Sequence, residues 1–375
     1  MRRIFLKDNK ENKINKSPDP VIILTVISLI VIGLVMVLSA SSIKSFNIFG
    51  SSFHFFNRQL VTALIGLIAM FVTMNIDYHI YKKLSKIILF GTFFLLVIVL
   101  VPGIGQVRGG SRRWIDLVIF GFQPSGVAKL GVIIYLSHYL SKKRNQLDDF
   151  LNGLLPALII LAIISLLIIM EPDLGTAVTI AISAFILIFV AGAKLTHLTF
   201  LGFSGVIAIL YFIFSSDYRR ARFTAFLDPW KDPLDSGYHI IQSLLALGTG
   251  GFFGVGIGNS KQKFLYLPEP GTDFIFAVLG EELGFLGVFI VISLYLLLFW
   301  RGIRTAHRAP DLFGTFLAIG ITSMIIIQVF INIGVVSATI PVTGITLPFI
   351  SYGGSSLLIM LSGVGILLNI SSYAK

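Results

Sequence analysis

The sequence predicts an all-α, polytopic membrane protein with about ten transmembrane helices and one large extracytoplasmic loop between spans 7 and 8. Three observations carry this. Of 375 residues, 55% are hydrophobic and only 13% charged. Soluble domains carry about 25% charge, and so few charges cannot cover a soluble surface of this size. The apolar residues form continuous runs, not the in-and-out alternation of a membrane barrel. Cysteine is absent, which excludes disulfide scaffolds, thiolate metal sites and a cysteine nucleophile.

Runs long enough to cross a bilayer occupy 21–42, 60–76, 87–101, 127–140, 154–170, 177–192, 198–214, 274–300, 312–336 and 355–370. With both termini in the cytoplasm, 17 Lys and Arg fall on the cytoplasmic side and five in the short outer loops. That is the expected bias for a multi-pass membrane protein with both termini inside. The net charge of +11 therefore reads as topology. No basic face with interleaved aromatics suggests nucleic acid. The stretch 238–258 is apolar enough to tempt an eleventh span. Crossing there would put Arg301, Arg304 and Arg308 outside, so it reads as a re-entrant part of the outer loop. The run after residue 20 is too long for a signal-peptide core and reads as a retained span. The organisation is then a cytoplasmic tail (1–20), one membrane domain (21–370, with the outer loop at 215–273) and a short cytoplasmic tail (371–375).

Polar groups near a bilayer are expensive and ask for a role. Arg112 and Arg113, beside Trp114, suit an interface anchor or an anionic headgroup. Lys129 lies inside the fourth span and either snorkels or pairs with a carboxylate. Glu171 and Asp173 flank Pro172 in a tight outer turn. They read as a helix stop and start, as a cation site, or as partners of Lys129. The long loop gathers Arg219, Arg222, Lys263 and Glu269 with several aromatics, a composition that fits a pyrophosphate. Thr272 is a candidate N-cap, placing Asp273 in the first turn of the eighth span. There Asp273 is either a dipole-stabilised acid or a general base. Glu281 and Glu282, deeper in that span, read as partners of interior groups. Ser351 and Tyr352 sit in the last outer loop, which either lines a groove or packs helices.

Seven segments in this order resemble the SEDS family of bacterial cell-envelope proteins, over about residues 18–373. They are GSRRWI at 110–115, QPS at 123–125 with Lys129, PDLGTA at 172–177, and FLDPWKDPLDSGYHIIQSLLALGTGG at 226–251. The others are GNSKQKFLYLPEP at 258–270, TDFIFAVLGEELGFLG at 272–287 and PVTGITLPFISYGGSS at 341–356. The spellings KFLYLPEP and PVTGITLPF look closest to the FtsW/SpoVE branch. The resemblance implies a peptidoglycan glycosyltransferase that polymerises lipid II at the outer membrane face. It implies a class B penicillin-binding protein as transpeptidase partner, other divisome or elongasome proteins, and undecaprenyl pyrophosphate as leaving group. The family's essential aspartate falls on Asp273, the candidate base. Arg112, Arg113, Lys129, Arg219 and Arg222 are the candidates to stabilise the leaving charge. A divalent cation, Mg or Mn, could share that work, though no motif demands one.

Two departures stand out. Position 126 is Gly126 where the family has glutamate, and position 171 is Glu171 where it has glutamine. The expectation is that Glu171 takes over the pairing with Lys129. A smaller departure is Gly271, before TDF. Two other functions remain alternatives: a flippase for the lipid-linked precursor, and a scaffold of reduced activity that recruits the transpeptidase.

Overall fold

The computed structural model describes residues 17–108, 111–116, 121–263, 267 and 269–374. The first sixteen residues, Gly110, most of the KFLYLP run and Lys375 lie outside the described residues. The chain starts with α1 (Pro20–Phe49), α2 (His54–Asn75) and α3 (Tyr78–Leu100). After a small sheet come α4 (Pro124–Lys143), α5 (Leu155–Met170), α6 (Leu174–Val190) and α7 (Leu195–Phe214). Two short helices, α8 (Asp217–Leu227) and α9 (Tyr238–Gly250), lead to α10 (Ile275–His307), α11 (Leu312–Val336) and α12 (Gly354–Tyr373).

Eight of the described helices are long and apolar enough to cross a membrane, so this is a multi-pass membrane protein. The other two expected spans fall on α4, which carries three lysines, and α6, which has 17 residues, and these two are not among the eight. Both pack inside the bundle against α5 and α11, and α4 also packs against α3. Helix α11 is buried along most of its length, whereas α7 turns Phe200, Phe203 and Val206 outward. An apolar outer face is what a helix in lipid requires.

Aspartates start several helices. Asp19, Asp77, Asp173 and Asp311 each accept a backbone N–H from the first turn they precede, satisfying donors that have no intrahelical partner.

The structure amends the all-α expectation. Strands β1 (Gln106–Arg108), β2 (Ser111–Asp116) and β3 (Gly121–Phe122) form a small antiparallel sheet between α3 and α4. The SRRWID stretch is too polar to insert and too short to fold alone as a helix. Hairpin pairing satisfies its backbone at the membrane surface. The two-residue period of a strand sends consecutive arginines to opposite faces. Arg112 donates to the carbonyl of Leu100 and Arg113 to that of Glu171.

Helix α9 has 13 residues, about 20 Å at 1.5 Å per residue, too short to cross. The chain then turns back at 251–256 and docks against a break in α10 at Gly284 (φ 65°). Phe285 and Leu286 donate to the carbonyls of Gly251 and Phe252 instead of to their own helix. The freed carbonyls of Glu281 and Glu282 accept from Val255 and Gly256 at 3.0 Å. Two amides and two carbonyls freed at the break are thereby satisfied. A Cβ on Gly254 or Gly284 would lie 2.1 or 2.2 Å from facing backbone, so glycine is required at both.

Candidate functional site

Asp273 sits in a turn just before α10, whose first helical residue is Ile275. This corrects the expectation that Thr272 caps the helix and Asp273 occupies its first turn. The reason is competition for the backbone. Asn332 of α11 donates to the carbonyls of Asp273 (2.8 Å) and Ile345 (2.7 Å). The Ser351 hydroxyl donates to the Thr272 carbonyl (2.6 Å), and the Tyr352 amide to that of Gly271 (2.8 Å). Gln59 of α2 holds the other side of this loop, through the Ser351 carbonyl and the Gly353 amide. Two separate helices, α2 and α11, and one loop thus fix the turn.

The Asp273 carboxylate itself receives no hydrogen bond or ion pair among the described residues. The left-handed Gly344 (φ 76°) brings backbone close; even an added Cβ there would lie 3.6 Å from Asp273 Oδ2. Loss of water pushes the Asp273 pKa up to about 6, and the charge of Glu269 adds to this. Arg222 and Arg113 oppose it. Those two guanidiniums are the cations that act on the carboxylate. Arg113 is held by the carbonyls of Glu171 (3.0 Å) and Pro172. Arg222 donates to the Val342 carbonyl (3.4 Å) and lies 4.4 Å from the centre of the Tyr218 ring.

Other sequence candidates go elsewhere. Arg112 and Arg219 are spent on the carbonyls of Leu100 and Phe212. Lys263 is buried and donates to Glu282 (3.0 Å), Ser39 (3.1 Å) and the Gly258 carbonyl. Glu281 holds the amide of Lys261 (2.9 Å) and the hydroxyl of Ser260. Glu269 pairs with Lys44 at 2.8 Å on an exposed surface. Tyr352 packs edge-on against Phe55. A groove lined by Ser41, Lys44, Phe55, Glu269, Thr272 and Tyr352 runs beside the Asp273 turn.

The expected pairing of Glu171 with Lys129 is absent. Lys129 donates instead to Gln328 (3.0 Å), whose amide donates on to the Thr346 carbonyl (2.9 Å). Glu171 is fully buried, and neither of its carboxylate oxygens has a partner. Burial, then the charge of Asp173, pushes its pKa up to about 9, with Arg113 opposing. Asp173 caps α6 and receives Thr176 Oγ1 (2.9 Å) and Gln123 Nε2 (3.3 Å). Among the described residues, no group of three or more His, Asp or Glu side chains could hold a metal ion.

The family described as cell cycle protein, FtsW/RodA/SpoVE, matches residues 20–375. The chain belongs to this family. It is 52% identical over 359 residues to stage V sporulation protein E of Bacillus subtilis, covering 96% of this chain and 98% of that one. It is 47% identical to a probable peptidoglycan glycosyltransferase FtsW of Geobacter sp. (strain M18), covering 95% and 97%. A chain from a solved peptidoglycan synthase complex, described as coordinating polymerization and crosslinking, superposes with a TM-score of 0.78. It is 29% identical, with 94% of this chain and 97% of that chain covered.

Gln59 and Gln328 were missed as site residues in the sequence. Each is a buried amide in a mostly apolar helix, Gln328 one turn before the buried Asn332, and a buried amide there is the signal that marks an interior polar contact.

Proposed function

We propose that this FtsW/RodA/SpoVE-family protein is a peptidoglycan glycosyltransferase that polymerises lipid II, with Asp273 as general base. The observation that carries the reading is a carboxylate free of protein partners, in a rigid turn, with its pKa near 6 and two guanidiniums in range. A base of that pKa is largely ionised at neutral pH yet still accepts a proton.

The acceptor sugar's hydroxyl gives its proton to the Asp273 carboxylate as its oxygen attacks the donor's anomeric carbon. The new C–O bond forms there while the bond to pyrophosphate breaks. The electron pair leaves on the phosphate oxygen, where Arg113 and Arg222 stabilise the growing charge. The groove beside Thr272 and Tyr352 gives a membrane-bound substrate a lateral approach to the base. The excess of Lys and Arg at the opposite ends of the helices supports both termini in the cytoplasm and Asp273 at the outer face of the cytoplasmic membrane. We assign residues 21–370 to one membrane domain and a class B penicillin-binding protein as its partner.

The test is polymerisation of labelled lipid II by the purified protein, with and without that transpeptidase. Wild type should yield glycan strands and Asp273→Ala none. Strands from Asp273→Ala at the wild-type rate would remove Asp273 from the chemistry. No strands from wild type in either condition would refute the polymerase reading.

A further inference from the structure

At the end of the bundle remote from Asp273, α3 begins and α4 ends, packed against each other. Each helix carries two basic groups four residues apart, hence on one face: Lys82 and Lys86 on α3, His138 and Lys142 on α4. All three lysines act on the His138 ring. None of the three forms an ion pair or hydrogen bond among the described residues. His138 Nδ1 is buried and also lacks a partner. Phe313 floors the cleft: Lys82 Nζ lies 5.9 Å from its ring centre, and His138 meets it edge-on at 6.5 Å.

The neighbouring acids do not neutralise this cluster. Asp77 and Asp311 are engaged by His79, and Asp311 also by the Tyr78 hydroxyl. Asp149 is taken up by the turn at Leu151 and Asn152. Lys86 and Lys142 are exposed and Lys82 is half-buried, and three like charges around one unsatisfied ring nitrogen raise a local positive potential that favours an anion among them. From the cleft, Ile87, Phe90 and Phe94 run along α3 as an exposed apolar stripe at helical spacing. A polar anion at one end of an apolar track is the shape of a phospholipid.

We infer that the α3–α4 cleft binds the phosphate headgroup of an anionic glycerophospholipid, with its acyl chains along the α3 stripe. Lys82, Lys86 and Lys142 donate to the phosphate oxygens, and the His138 ring completes the cradle. A plain excess of lysine at one membrane face would attract anionic lipid through any of its charges. A built cleft depends on these particular ones.

The test uses the full chain in detergent, titrated with fluorescent phosphatidylglycerol. Wild type should bind saturably. Lys82→Gln/Lys86→Gln/Lys142→Gln should weaken binding roughly tenfold or more, since each phosphate-facing lysine counts strongly near a membrane surface. The charge-matched control Lys83→Gln/Lys143→Gln/Arg144→Gln should stay within about twofold. Equal losses in the two triples would overturn the site. Inorganic phosphate is the competitor: failure to displace the lipid is expected, and displacement at matching concentration would assign the cleft to free phosphate instead. Independently of any variant, wild type carried from phosphatidylglycerol-containing micelles through exchange into lipid-free detergent should retain about one such lipid per chain by native mass spectrometry. Retention of none would also overturn the proposal.

Discussion

Lys263→Met should be among the most damaging single changes outside the Asp273 turn. The Lys263–Glu282 pair is almost wholly shielded, with side-chain exposures of 4% and 0%. It ties three parts of the chain together: Ser39 on α1, the loop at 258–263, and Glu282 just before the α10 break. Methionine fills much the same space but leaves Glu282 charged and buried, with Ser39 and a distant backbone amide as its remaining donors. Its Oε2 already lacks a partner. Removing one member of a buried pair costs about 3–5 kcal/mol, mostly the penalty of the stranded charge. The assay is thermal unfolding in detergent together with lipid II polymerisation, on Lys263→Met, Glu282→Leu and the double variant. The double should be more stable than Lys263→Met, because no stranded charge remains, and it should recover polymerase activity. A loss below about 1 kcal/mol in Lys263→Met would mean the pair behaves as an exposed one. A stable double that stays inactive would instead mean that Lys263 or Glu282 serves the reaction beyond holding these segments together.

Four further outcomes follow from the same geometry. Polymerase rate should rise through about pH 6 and level off above it, because the Asp273 carboxylate must be ionised to accept a proton; a rate flat between pH 5 and 8 contradicts this. The raised pKa means that Asp273 favours folding most when protonated, a contribution lost as pH rises through about 6. Asp273→Asn should therefore melt higher than wild type at pH 7.5 while making no strands. Glu171→Gln keeps a neutral side chain, so activity should stay within about twofold, and the fall in wild-type melting temperature from pH 6 to 9 should flatten; combined with Lys129→Met, its effects should be additive. Gly254→Ala should destabilise by several kcal/mol, about 3 or more, since its Cβ would strike the Glu282 carbonyl at a left-handed φ of 80°; an unchanged melting temperature would show that the α9–α10 clamp yields.

The parts of this molecule legible in the sequence are those where one physical term dominates. In α1, α10 and α11, continuous apolarity leaves a bilayer span as the sole economical solution: the runs at 21–42 and 312–336 fall inside the observed helices, and that at 274–300 does so from its second residue on. Asp173 as a helix start was one of three readings open in the sequence, beside a cation site and a partner of Lys129, and the structure shows it capping α6. The misreadings cluster where terms compete. Near Asp273 the helix dipole favours an early start to α10, but Asn332, 59 residues away, and Ser351, 79 residues from the carbonyl it binds, claim the backbone first. No local pattern encodes a donor so distant. The β1–β3 sheet lies where apolarity is too weak to specify a span and pairing decides. The exchange of two carboxylates, one missing at Gly126 and one present at Glu171, suggested a charge swap. Charge is not conserved by position in a low-dielectric interior: a carboxylate left without donors takes up a proton. Lys129, meanwhile, finds the neutral Gln328 on α11. A glutamate restored at 126 would return a carboxylate one helical turn from Lys129, at the expense of moving the end of Ile359, which an added Cβ approaches at 2.8 Å. At position 126 the first contact an added side chain meets is therefore the end of Ile359 on α12, which a rotamer change of that side chain can relieve.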